Sequence, residues 1–265
     1  MTVYYVSKQR GDDLNDGRSP STPWATVTKA VQTLVAGDIC YIGPGTYREK
    51  PTNANAGTSG NLIQFIGDPD AMHVVGDTKG IVRVTACDED EMIDTTSYSL
   101  WVCNKNYVKL KNMMVDGGWE NIVVFYTSTN RFAENIVAVG GGWAFFSGTL
   151  TNCIALGASS GIADAKCVNC ISIGGGESAF EFSEAINCLA IGGARGFMYG
   201  TAVNCMSIGG NYGFSVDTAI NCIAFGSRSG YSGGNLYNSL AMNCDRAFVA
   251  YAKVNDCKYN LCRTI

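Results

Sequence analysis

The chain has 265 residues, of which 46% are hydrophobic and only 16% charged, and its net charge is −4. It is long enough for one large domain or two small ones, and it lacks the basic field that a nucleic-acid partner requires. No apolar run approaches the ~18 residues of a membrane span, so no membrane partner is expected either.

Gly is abundant at 32 residues and Pro scarce at 5. Many turns with few rigid breaks suit an all-β repeat protein. The opening Met1-Thr2-Val3-Tyr4-Tyr5-Val6 has neither the basic nor the apolar region of a signal peptide. The twelve cysteines are therefore expected to be reduced and buried, in a protein that folds in a reducing cytoplasm.

Residues 1–50 read as an N-terminal cap. Asp12, Asp13, Asn15 and Asp16 precede Gly17. They form either a Ca²⁺ cradle or a capped turn, and the spacing is not that of an EF-hand. Trp24, Val27, Ala30, Val31 and Leu34 fall on one face of a helix over about 23–35. Ser21 or Thr22 would cap it, Pro23 would start it and Gly37-Asp38 would stop it. Such a helix would cover strand edges that otherwise stay open.

Residues 51–134 read as irregular rungs. Leu62–Ile66, Ile81–Val84, Leu100–Val102, Tyr107–Leu110 and Ile122–Phe125 have strand character between turn residues. Residues 135–265 are regular. Asn-Cys recurs at Asn152, Asn169, Asn187, Asn204 and Asn221, in steps of 17, 18, 17 and 17. Asn135, Asn238 and Asn255 extend the series without the cysteine. A second column, Phe145, Ile162, Phe180, Phe197, Phe214, Tyr231 and Phe248, carries the same single insertion, in Gly174-Gly175-Gly176. So short a period is one turn of a β-solenoid. The fold class expected is a single right-handed parallel β-helix over 1–265, with an N-terminal capping helix.

The stretch from Tyr4-Tyr5-Val6-Ser7 through Asp13, Asn15-Asp16-Gly17, Ser19-Pro20, Thr22-Pro23-Trp24-Ala25-Thr26 and Gly37-Asp38 to Pro44-Gly45-Thr46-Tyr47-Arg48-Glu49 resembles the N-terminal cap of the pectate-lyase-like superfamily. The later Asn-Cys-x-Ala-x-Gly rungs are similar to its repeat. The resemblance implies the β-helix and a set of functions that includes lyases, glycosidases, epimerases and bacteriophage tailspikes.

A lyase of this kind needs acidic Ca²⁺ ligands beside an Arg or Lys base, and a glycosidase needs two carboxylates on one groove. In the regular rungs Asp164, Glu177, Glu181, Glu184 and Asp217 fall in different columns, and Lys166 is set to pair with Glu184. Cys167-x-x-Cys170 has no second pair, and His73 is the only histidine, so zinc is not expected. No catalytic residue, cofactor or metal is assigned.

The Asn-Cys strand is apolar on both faces. One side carries Cys and Ala or Ser. The other carries Ile154, Leu156, Ile171, Ile173, Leu189, Ile191, Met206, Ile208, Ile223, Phe225, Leu240 and Met242. If the large set faces outward, it forms a strip that another copy of the chain would cover. The reading that follows is a non-catalytic virion surface protein. It would be a homotrimeric capsid decoration protein of a bacteriophage, assembled in the host cytoplasm, partnered by a capsid protein and by a surface glycan. The alternative is a polysaccharide lyase or hydrolase with its site around Asp116, Trp119 and Glu120, or a tailspike-type glycan-binding protein.

Overall fold

The computed structural model describes residues 1–90, 99–118, 121–124, 130–249 and 253–262. The chain divides into two compact units, Met1–Gly141 and Gly142–Ile265. Both are stacks of short parallel strands, and the fold is the parallel β-helix expected from the repeat.

In the first unit three ladders run in parallel. Val3–Val6, Ile39–Ile42, Ile63–Gly67, Val108–Asp116 and Arg131–Val139 pair in that order. Gly45–Arg48 pairs with Val82–Thr85, which pairs with the second half of Val108–Asp116, and that continues on Arg131–Val139. Ser99–Val102 pairs with Asn121–Val124. Alternation sorts the side chains: Tyr4, Cys40, Phe65, Leu110 and Ala133 are in register and all buried. The two long strands turn a corner at Asn112 and Asn135, which have φ of 58° and 54°. Asn tolerates this left-handed region, and the Asn135 amide donates to Asn112 Oδ1 at 3.0 Å.

The helix is shorter than expected, Val27–Thr33, with Thr26 as its N-cap accepting from the Lys29 amide. The carboxylate of Asp13 accepts from the Ala25 and Thr26 amides and from the Thr26 hydroxyl. Glu49 accepts from the Val27 and Thr28 amides. These acceptors hold 24–26 outside the helix, and Trp24 instead bridges to Val6. The apolar face is as read: Val27, Ala30, Val31 and Leu34 are buried.

In the second unit the earlier rungs supply one long and one short strand, the later rungs supply three short ones, and the register follows the two sequence columns. Phe145, Ile162, Phe180, Phe197, Phe214, Tyr231 and Phe248 are rung neighbours. Phe197 is stacked on Phe180 at 4.7 Å and on Phe214 at 4.8 Å. Asn152, Asn169, Asn187, Asn204 and Asn221 all have φ between 54° and 56°. Their amides form a chain along the stack, each side-chain N–H donating to the Oδ1 of the preceding rung at 3.2–3.3 Å. The cysteines of the column are buried free thiols.

Candidate active site

A concavity lies on the outer face of the second ladder of the first unit. Tyr47, Val84, Val115 and Ala138 point inward and are buried. Their neighbours form two outward columns. Thr46, Arg83, Met114 and Val137 are in register, and so are Arg48, Thr85, Asp116 and Val139. Arg83 and Asp116 are therefore diagonal neighbours on adjacent rungs. Arg83 Nε donates to both Asp116 oxygens at 3.0 and 3.1 Å, and Nη2 donates to Oδ2 at 2.6 Å. The pair is largely sheltered, at 21% and 11% side-chain exposure, and two parallel hydrogen bonds fix the plane of the guanidinium. Arg48, beside it, donates to the Cys87 carbonyl at 3.1 Å.

Arg83 forms part of the wall of a cleft of about 680 Å³, with Gln9, Thr46, Thr78, Lys79, Ile81 and Met114 among its other lining residues. An apolar groove of about 460 Å³, lined by Pro69, Val82, Met113 and Val137 among others, shares Gly80, Ile81 and Met114 with it. The loop that carries Lys79 is pinned in several places. Asp68 accepts from the Met72, His73 and Val74 amides. Asp77 accepts from the Ser7 hydroxyl and from Arg10. Gln9 donates to the Thr78 carbonyl and accepts from the Thr78 amide. Lys79 itself is open, 3.8 Å from an equally exposed Asp70, a contact of little energetic weight. The result is a preorganised cleft with cationic groups in its wall.

On the first ladder of this unit Glu134 is bonded to both Lys109 and Lys111. Those two lysines, Lys109 first, hold its carboxyl below the usual carboxylate range. This closed ion triplet is structural. His73 is stacked on Tyr41 at 3.8 Å.

The residues singled out in the sequence fall as follows. The turn reading holds for the acidic loop: Asp12 accepts from the Leu14 amide, and Asp16 from the Arg18 amide and the Thr22 hydroxyl. The Asn15 amide donates to the Pro23 carbonyl. Lys166 and Glu184 form an exposed pair at 3.0 Å. The large set from Ile154 to Met242 points outward, half-buried to exposed, while the Cys and Ala or Ser set is buried. Ile173, Met206 and Phe225 are the most open of the strip. Asp116 lies in the pair with Arg83. Trp119 and Glu120 lie outside the described residues. The Ca²⁺ set implied by the family resemblance does not fit the cleft. Asp116 is bound to Arg83, and among the described residues no group of three His, Cys, Asp or Glu converges to hold a metal.

Arg83, Lys79 and Gln9 were missed. Arg83 could have been found from Val82-Arg83-Val84, where a cation alternates with two buried valines. Its partner lies 33 residues on, across rungs of unequal length, and no spacing announces it.

The fold is a parallel β-helix. No family model matches the chain, and no curated protein matches it. Among solved structures it is similar to pectate lyase Pel9A, with a TM-score of 0.67 and 16% identity over 97% of this chain and 78% of that one. It is also similar to a rhamnogalacturonan lyase, with a TM-score of 0.55 and 18% identity over 92% and 74%. At these identities the likeness establishes the fold. It also corrects the expectation of a chain without catalysis, because the fold neighbours are enzymes. The carboxylates of the regular rungs fall in different columns, whereas the charged cleft is built in the irregular ones.

Proposed function

We propose that the chain degrades an acidic polysaccharide by β-elimination in the cleft around Arg83 and Lys79. The observation that carries this reading is the Arg83–Asp116 pair, which holds a guanidinium rigidly in the wall of a cleft with a lysine on the facing loop. The C5 proton of a uronate is α to its carboxylate. Neutralising that carboxylate stabilises the charge that develops as the proton leaves. Arg83 is placed to meet the carboxylate, and Lys79, as the neutral amine, to take the proton. The electron pair then forms the C4–C5 double bond, the C4–O bond breaks, and the departing oxygen takes the proton from the Lys79 ammonium, which restores the neutral amine. Water takes no part in the bond cleavage. The apolar groove beside the cleft offers Ile81 and Met114 to the C–H faces of neighbouring sugars.

The test is turnover of polygalacturonate, rhamnogalacturonan and alginate, followed by ultraviolet absorbance of the unsaturated product. Arg83→Ala should lower kcat by about 10²–10³, the usual loss for one transition-state donor, and Lys79→Met should abolish turnover. A wild-type chain that releases no unsaturated product from any acidic polysaccharide overturns the reading.

A second reading, self-association through the strip from Ile154 to Met242, is supported by its outward orientation. Attachment to a virion surface has nothing in its favour beyond that strip.

A further inference from the structure

The corner that follows the Phe column in the second unit holds an anomaly. Its residue has positive φ on several rungs: 68° at Ser147, 52° at Asp164 and 78° at Gly233. Small, polar or glycine residues suit that left-handed conformation. Two successive rungs place aromatic residues there instead, Phe182 at 47° and Tyr199 at 58°. A bulky side chain in this region is an outlier. Nor does burial recompense it, since Phe182 is 55% and Tyr199 45% exposed. The two rings are stacked on each other at 4.5 Å and 19°. Each covers one face of the other, and both remain about half exposed.

Charge around the pair is acidic. Asp164 stands at the same corner one rung before Phe182, and Glu181 precedes Phe182 on the outer face. Glu177 and Asp164 are both near enough to act on Glu181, whose carboxyl is raised by burial first and then by Glu177, with Arg195 opposing. Asp217 adds a carboxylate beside Tyr199, accepting from the Gly200 amide at 3.2 Å.

A strained, exposed aromatic stack contributes little to folding, and such outliers concentrate at binding sites. A flat apolar face beside acceptor-only carboxylates matches a ligand with an apolar face and a rim of hydroxyl donors. We infer that Phe182 and Tyr199 form a surface subsite for a neutral pyranose chain, with Asp164 and Glu181 accepting from its hydroxyls. The acidic surroundings disfavour a uronate, so this subsite and the cleft of the first unit select different sugars. Two rings stacked on each other enclose no cation, which separates the site from a cage for quaternary ammonium groups.

Methyl-labelled methionine gives each surface its own reporter. Met198 adjoins Tyr199 in the chain and pairs with Glu181 across the rungs, while Met114 lines the cleft. The probes are cellohexaose, hexagalacturonate and choline, titrated into the full chain. Cellohexaose should shift the Met198 methyl and leave Met114 still. In a Phe182→Asn, Tyr199→Asn double variant that shift should weaken at least tenfold. The unfolding midpoint should hold or rise, because Asn fits the left-handed corner, and activity on a short acidic oligosaccharide should be unchanged. Hexagalacturonate should act on Met114, and its failure to do so counts against the cleft alone. The subsite is overturned if cellohexaose leaves Met198 still, if choline or hexagalacturonate shifts Met198 more strongly, or if the double variant binds cellohexaose like the wild type.

Discussion

Phe197 lies between two parallel rings in a column whose backbone spacing is fixed by the strand ladder. Truncating it leaves a hole that neighbouring rungs cannot close without breaking hydrogen bonds. Phe197→Ala should therefore cost about 3–5 kcal/mol, read as a lower urea midpoint at unchanged slope; an unmoved midpoint would contradict the column. Glu134 gives a pH-dependent counterpart. Lys109 and Lys111 hold its carboxyl below its ordinary range, so its contribution is present above the unfolded value and lost as pH falls through the folded one. Glu134→Gln should flatten the fall of melting temperature between neutral and acidic pH. An equally steep fall in the variant would show that the triplet does not stabilise the fold. At this scale the sequence was legible where one residue type has one physical use. Asn at a left-handed corner and Phe in a stack announce themselves by period. Arg83 did not, because an outward cation on a strand reads as a solvated face until the partner on the next rung is known.

The regular strands were legible as elements because alternation and period coincide there. The same sequence left open which face of the Asn-Cys strand points inward, since both faces are apolar. Side-chain size decides it: the stacked thiols and small residues face inward, and the larger Ile, Leu, Met and Phe face outward. The helix starts later than read because Asp13 takes the Ala25 and Thr26 amides, and Glu49 and Thr26 satisfy those of Val27, Thr28 and Lys29, which puts the cap at Thr26. The inward thiols carry a prediction. Ten of the twelve cysteines are buried, and Cys257 and Cys262 are half-buried. Burial pushes the Cys103 thiol up to about 11. The neighbouring Cys170 and burial, with Cys205 opposing, push Cys188 up to about 12. Thiolate is the reactive form. A chromogenic disulfide reagent should modify Cys257 and Cys262 in the native protein and the other ten only on unfolding. Rapid native modification of Cys188 or Cys205 would contradict the inward assignment.

At the scale of the whole molecule two surfaces compete to define the function. The outward strip of the second unit spans about six rungs at ~4.8 Å each and is about two side chains wide. That gives roughly 300 Å², well short of the ~800 Å² per partner of a stable interface. Self-association through the strip alone should be weak and concentration-dependent in light scattering, and Ile191→Asp with Ile208→Asp should remove it. A trimer that persists at low micromolar concentration would require a larger surface than the strip and would restore an assembly role. The cleft of the first unit is the other surface, and its chemistry is separable from every structural role. The direct measurement is mass spectrometry of the oligosaccharides released from an acidic polysaccharide in heavy-oxygen water. Elimination around Arg83 and Lys79 predicts unsaturated products that are lighter by one water and carry no heavy oxygen at the cleaved bond. Saturated products that carry the label would show hydrolysis and contradict the account.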